Sequence, residues 1–180
     1  VEGSVDPIRD TEIIETELML ADLESLERQM QNLAKKAKSN DKEAKNDIII
    51  MEELYSILSK GIPIRLGNLS EDKIKRIKSY NLLSSKPILY VCNVNEADAS
   101  SGNHLSKAVF DKATNEKAES VVISGAIESE IALLDDDEKK EFLKDLNLNE
   151  SGLSRLIRAG FGLLNLITFF TIGPKEARAW

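Results

Sequence analysis

Cysteine occurs once in the 180 residues, at Cys92, and histidine once, at His104. A lone thiol excludes an internal disulfide framework and any zinc site built from several cysteines. Cys92 sits inside an apolar run with nothing electropositive beside it in sequence, so it reads as a buried, inert thiol. His104 follows a Gly-Asn turn, and no Ser or Cys nucleophile can be assigned to it; it reads as the opening of a helix rather than as a base. No apolar run reaches membrane length, and Val1-Glu2-Gly3-Ser4 lacks the pattern of a signal peptide, so a cytoplasmic origin with no membrane partner is expected. Positive charge is not in excess either. A formal net charge of −7 opposes nonspecific attraction to polyanions, which could be met only through a local basic patch. The chain starts without Met and stops on Ala179-Trp180, and so reads as an excised piece.

What is present is enough for a core: 42% of the residues are hydrophobic, as expected of one globular domain or a little more. The organising stretch is Lys86-Pro87-Ile88-Leu89-Tyr90-Val91-Cys92-Asn93-Val94-Asn95-Glu96. Ile88 to Cys92 is a continuous apolar run of strand length, with Pro87 at its start where a missing N–H does least harm. Such a strand should lie in a sheet covered on both faces. Ligands of open parallel sheets sit just past the carboxyl ends of the strands, which is where Asn93 and Glu96 fall.

Ahead of this strand, Asp6-Pro7 marks a helix start, with Asp10 and Thr11 offering a second cap slightly later. Met19, Leu23, Leu26, Met30, Leu33 and Ala37 alternate spacings of four and three, and after Ser39-Asn40-Asp41 the seam resumes at Ala44, Ile48, Met51, Tyr55, Leu58 and Ile62. So short a connection returns the second helix antiparallel to the first. The expectation is a coiled-coil hairpin projecting roughly 40 Å at 1.5 Å per residue. It can serve as a rigid structural arm or as a docking surface. Lys35, Lys36, Lys38, Lys42 and Lys45 gather near its turn, the candidate contact for a partner's phosphates, although Asp41, Glu43 and Asp47 dilute them.

Gly61-Ile62-Pro63 ends the hairpin, and Ser70 with Glu71 and Asp72 opens a shorter helix. Beyond the central strand come a polar loop over 97–103, a helix from about His104 to Lys117, and a second β-rich run, Ser120 to Ser124. Together these make a β-α-β unit with parallel strands. Ser124-Gly125-Ala126 closes the second strand as Asn93 closes the first, so the two polar ends should lie near one another. Ile127 to Leu134 reads as a helix. Asp135-Asp136-Asp137-Glu138 starts another, its acids suiting the first turn better than a metal site. Ser151 can cap a helix carrying Leu153, Leu156, Ile157 and Phe161. Leu166 to Thr171 and Glu176 to Trp180 then read as two strands of a hairpin turning at Gly173-Pro174.

The tetrad Asn93-Val94-Asn95-Glu96 resembles the base-recognition motif Asn-Lys-x-Asp of P-loop GTPases in its altered Asn-x-x-Glu form. Taken with Val5-Asp6-Pro7, Lys86-Pro87, Arg158-Ala159-Gly160 and Lys175-Glu176-Ala177-Arg178-Ala179-Trp180, in this order around a helical hairpin, it is similar to the YchF/Obg-like ATPase family over nearly the whole chain. The resemblance implies an α/β fold: half of a P-loop NTPase-type parallel sheet with helices, plus the long antiparallel hairpin. It implies an arm in residues 1–64, the C-terminal part of a nucleotide-binding domain in 65–163, and the start of a TGS-like domain in 164–180. It implies ATP with Mg as cofactor of the complete protein, and the ribosome or ribosomal RNA as partner. Adenine nucleotide would be bound through Asn93, Val94, Asn95 and Glu96, with Ser124, Gly125 and Ala126 presenting backbone N–H groups to the base and Gly125 permitting close approach.

The motif also bears on which base is taken. Guanine offers N1–H and its 2-amino group as adjacent donors, which an Asp accepts together, whereas adenine N1 is an acceptor that repels a carboxylate placed opposite it. Glu96 is longer than Asp and can be displaced, and Val94 stands where the GTPase motif has Lys; both favour ATP over GTP. The chain departs from the family in having no Gly-x-x-x-x-Gly-Lys followed by Ser or Thr and no Asp-x-x-Gly. The phosphate cradle and the magnesium-linked switch are therefore missing, and this piece alone is expected not to hydrolyse ATP. The competing reading is a non-enzymatic module whose coiled coil docks a macromolecular partner while the α/β portion anchors it.

Overall fold

The structure, a computed structural model, describes residues 4–37 and 41–180; Lys38 of the candidate patch lies outside the described residues. Two compact units divide the chain, Val1–Lys86 and Pro87–Trp180.

In the first unit Asp6 opens helix α1 by accepting the N–H groups of Ile8 and Arg9 on Oδ1 at 3.2 and 3.1 Å. Helix α1 (Pro7–Ala37) has 31 residues, about 46 Å at 1.5 Å per residue. Asp41 caps α2 (Lys42–Leu58), accepting from Glu43 and Ala44 at 2.9 and 3.2 Å. The helices lie along one another: Met19 and Leu26 share an apolar cluster with Ile50, Met51, Leu54 and Leu58, and the Tyr55 hydroxyl donates to Glu27 Oε1 at 2.9 Å.

Burial in α2 departs from the seam read in the sequence. Ala44, Met51 and Leu58 are buried, but so are Ile50 and Leu54, which lie off that seam; Tyr55 is half-buried, and Ile62 falls beyond the end of the helix, 39% exposed. The reason is that α2 meets more than α1. Ile64 from the 3-10 turn Ile64–Leu66, Ile77 at the end of α3 (Glu71–Ile77), and Tyr80 and Leu82 complete the same cluster. Helix α2 therefore buries a broad face instead of a narrow stripe. Ser70 stands at the N-cap of α3 without a side-chain capping bond, and Asp47 of α2 accepts from Arg76 Nε and, at 2.5 Å, from the Tyr80 hydroxyl.

A charged residue also enters the apolar stripe of α1. Asp22 is only 2% exposed, with Oδ1 accepting the Leu83 N–H at 2.7 Å and Oδ2 accepting the Ser84 N–H and hydroxyl at 2.7 and 2.6 Å. Three donors replace the water a buried carboxylate would lose, and they fasten the 3-10 turn Leu83–Ser85 to α1.

The second unit begins with β1 (Leu89–Asn93), crosses through α4 (His104–Asn115) and returns as β2 (Glu119–Ile123). The strands pair in parallel, from Leu89 opposite Glu119 to Asn93 opposite Ile123. Cover on both faces, expected from the apolar run, is not what is found. Tyr90 and Cys92 are half-buried and Val91 is 44% exposed, because among the described residues this sheet has two strands, too narrow to shield itself. Helix α5 (Gly125–Ile131) starts directly after Ser124, earlier than expected. Helix α6 (Asp136–Asp145) is opened by the Asp135 capping box, and α7 (Gly152–Leu163) by Ser151. Ala99, Ile127, Ile131, Leu143 and Leu148 form this unit's apolar cluster. On α7, Leu153, Ile157, Phe161 and the adjoining Leu164 are left exposed. The chain ends in an antiparallel hairpin, β3 (Phe170–Ile172) and β4 (Ala177–Ala179), flanked by Phe169 and Trp180 stacked with centroids 6.5 Å apart.

Candidate functional site

Parallel strands joined by one crossover finish on the same side, and here the two ends touch. Asn93, last in β1, accepts the Gly125 N–H on Oδ1 at 2.9 Å, and the Val94 N–H donates to the Ile123 carbonyl at 2.9 Å. Ser124 is buried, and its Oγ has no hydrogen-bond partner among the described residues. Asn95 and Glu96 follow in an exposed segment, where Glu96 begins the 3-10 turn Glu96–Asp98; Ala126 is exposed as well. A Cβ built on Gly125 would lie 3.5 Å from Asn93 Oδ1, an ordinary contact, so Asn93 alone does not demand a glycine there.

Two residues that sequence reasoning passed over adjoin this corner. Glu128, in the first turn of α5, donates its N–H to the Ser124 carbonyl at 3.0 Å. Its carboxylate accepts the Gly152 N–H at 2.6 Å and the Leu153 N–H at 3.1 Å. At Gly152 a Cβ would come within 2.9 Å of both Glu128 Oε1 and Ile123 Cγ2, so the glycine is required by crowding. The only sequence signal was an acid in a first helical turn, which by itself indicates no more than a favourable dipole.

Burial pushes the Cys92 thiol up, away from thiolate chemistry. His104 is the first residue of α4, capped by Asn103, and borders an open cavity of about 400 Å³ with Lys107, Phe110, Ser120 and Val122; neither the 93–96 nor the 124–126 segment lines it. In the acidic run, Asp135 accepts from the Asp137 and Glu138 N–H groups at 3.0 and 2.9 Å. Among the described residues no group of three or more His, Cys, Asp or Glu side chains is placed to hold a metal ion, and no helix is long and apolar enough to cross a membrane. Lys35 and Lys36 lie in the last turn of α1, and Lys42 and Lys45 in the first turns of α2, all four exposed.

Among the described residues the chain is mixed α/β, with three α-helices in the first unit and a small parallel sheet with four in the second, and it matches a fragment of a P-loop NTPase of the YchF type. No family model matches the chain. Over 180 residues, the whole chain, it is 50% identical to the ribosome-binding ATPase YchF of Haemophilus influenzae and covers 49% of that protein. It is 43% identical over 182 residues to the ribosome-binding ATPase YchF of Bacillus subtilis, covering 50% of it. The structure of the Schizosaccharomyces pombe YchF GTPase matches with a TM-score of 0.84 at 32% identity, over 100% of this chain and 50% of that one. The chain is similar over its whole length to YchF proteins, as a fragment of one would be, and spans about half the length of the curated relatives it matches.

Proposed function

We propose that this chain supplies the base-binding side and the projecting arm of a ribosome-associated, Mg-dependent ATPase. The observation that carries the reading is the Asn93 Oδ1 bond to the Gly125 N–H at 2.9 Å, which ties the Asn-x-x-Glu strand end to the Ser124 loop. The buried Ser124 hydroxyl, without a partner among the described residues, adds a polar group beside that corner whose pairing a bound base or its water would supply. These residues fit the base of a nucleotide. No residue of this chain is assigned to the phosphates or to magnesium, since the motifs for both are missing from the sequence. When bound, the nucleotide supplies the phosphoryl group to be transferred; Asn93, Ser124 and Gly125 orient its base, and Glu96 sets the preference for adenine. Hydrolysis belongs to the complete protein, and the isolated chain is inactive.

The α1–α2 pair is, in this reading, a helical arm in residues 1–64 that docks on ribosomal RNA. The nucleotide-domain portion extends to residue 163, and 164–180 begins a TGS-like domain. Lys42 supports the RNA contact because a cation in the first turn of a helix opposes its dipole, so the dipole does not explain it. The relatives include both a ribosome-binding ATPase and a GTPase; the choice between nucleotides rests here on Glu96 and Val94. Competition binding of ATP and GTP to the complete protein tests the reading. ATP preference that weakens in Asn93→Ala is expected, and equal affinity for the two nucleotides would overturn it.

A further inference from the structure

We infer that Glu128 is a positioning residue for the nucleotide base, acting through the Ser124-Gly125 loop; this rests on the base-side reading above. Glu128 joins three elements at once. Its N–H closes the first turn of α5 onto the Ser124 carbonyl, its carboxylate holds two N–H groups at the start of α7, and one turn earlier the Gly125 N–H is committed to Asn93. The loop is thus fixed at one end by a strand-end amide and at the other by a half-buried carboxylate seated on a neighbouring helix.

The fit around Gly152 argues that this seat is built and not incidental. The Gly152 backbone comes so close to Ile123 and to Glu128 that a methyl group there would force one of them to shift. Helix α7 does not depend on Glu128 for its own start, because Ser151 Oγ separately accepts the Ser154 N–H at 3.1 Å. Glu128 takes the two preceding N–H groups, at Gly152 and Leu153, which a helix otherwise leaves to solvent. Its bonds therefore go beyond what opening α7 requires, and what they add is a fixed place for α5 and the loop that begins it. A loop meant to meet a flat base has to be held to within a fraction of an ångström, and pre-organising it converts binding energy into selectivity.

The test uses the complete protein and two probes, ATP with Mg and inorganic tripolyphosphate, which lacks the base. Glu128→Ala should weaken ATP about tenfold, near 1.4 kcal/mol, while leaving tripolyphosphate affinity unchanged. Glu128→Gln, which keeps one acceptor oxygen and the side-chain length, should recover part of the loss. Gly152→Ala, which leaves the carboxylate but displaces its seat, should act in the same direction, and it carries the test if Glu128→Ala does not fold. Equal weakening of both probes, or a lower Tm with ATP affinity intact, would overturn the inference by making Glu128 merely structural. Asn93→Ala separates the two levels: if it weakens ATP and the Glu128 and Gly152 variants do not, the positioning role fails alone. If Asn93→Ala too leaves ATP unchanged, the base-side reading fails, and the role of Glu128 with it.

Discussion

The Asp22 carboxylate holds Ser84 twice, by its backbone N–H and by its hydroxyl, across 62 positions of sequence. A third bond, from the Leu83 N–H, completes the set. Asp22→Ala should therefore cost roughly 3 kcal/mol, because it strands the buried Ser84 amide and hydroxyl and the partly buried Leu83 amide at once. Asp22→Asn, which keeps one acceptor, should cost less. Urea denaturation gives the magnitudes, and hydrogen exchange at the Leu83 and Ser84 amides should accelerate in both variants. Unchanged protection at these amides would contradict the assignment.

The two-sided burial of α2 makes a prediction that a simple seam does not. Leu54→Ala should destabilise by about 2–5 kcal/mol, as for a fully enclosed leucine. Ile62→Ala, exposed beyond the helix end, should stay within about 0.5 kcal/mol. Reversal of that order would mean that α2 faces α1 through the sequence-derived seam after all.

Asp47, Arg76 and Tyr80 form a pH-sensitive fastening between α2 and the end of α3 with the turn that follows it. Burial and then the hydrogen bond to Asp47 push the Tyr80 phenol up to about 12. Its folded-state value lies above the unfolded one near 10, so its contribution is fully present below pH ~10 and is lost as pH rises toward 12. Asp47 moves the other way, held below the usual carboxylate range chiefly by the Arg76 hydrogen bond. Its contribution is present above the unfolded carboxylate value and disappears as acid protonates it in the fold. The Glu27 hydrogen bond also raises Tyr55, so near-ultraviolet titration is read in Tyr55→Phe, where the late-titrating Tyr80 should shift down on Asp47→Asn; an unshifted titration would remove Asp47 as a cause.

Selectivity at the base can be tested by rewriting the tetrad. In the complete protein, changing Glu96 to Asp and Val94 to Lys together should erode or reverse the ATP preference by more than about tenfold, since guanine then finds a carboxylate for its two donors. Competition binding of ATP and GTP reads this directly, and a double variant that keeps the wild-type ratio would remove Glu96 as the selector.

The structure also marks where sequence reasoning has reach. Caps such as Asp6, Asp135 and Ser151 are visible in the chain because their partners lie two or three residues away. The meeting of Asn93 with the Ser124 loop is readable for another reason: a strand, one crossover helix and a parallel strand leave both ends on the same side. Asp22, Leu54, Glu128 and Gly152 were not legible. Each is defined by a segment far along the chain, and locally each looks ordinary: an acid on a helix, one more leucine, an acid in a first turn, a glycine after a serine. The apolar run at Ile88 to Cys92 misled about cover, because a run of hydrophobic residues reports what a strand can bury and not how much surrounds it.

The Asn93 to Gly125 bond has a temporal meaning as well as a spatial one. Its partners stand 32 residues apart, with the whole of α4 between them, so no shorter stretch of chain can assemble it. A polypeptide emerging from its N-terminus carries Asn93 before the Gly125 N–H that it binds. The base corner must wait for β2 to dock, and loop closure of that length has to precede any reward from the contact. In the reading proposed above, the base side of the nucleotide site is thus complete only once the crossover is.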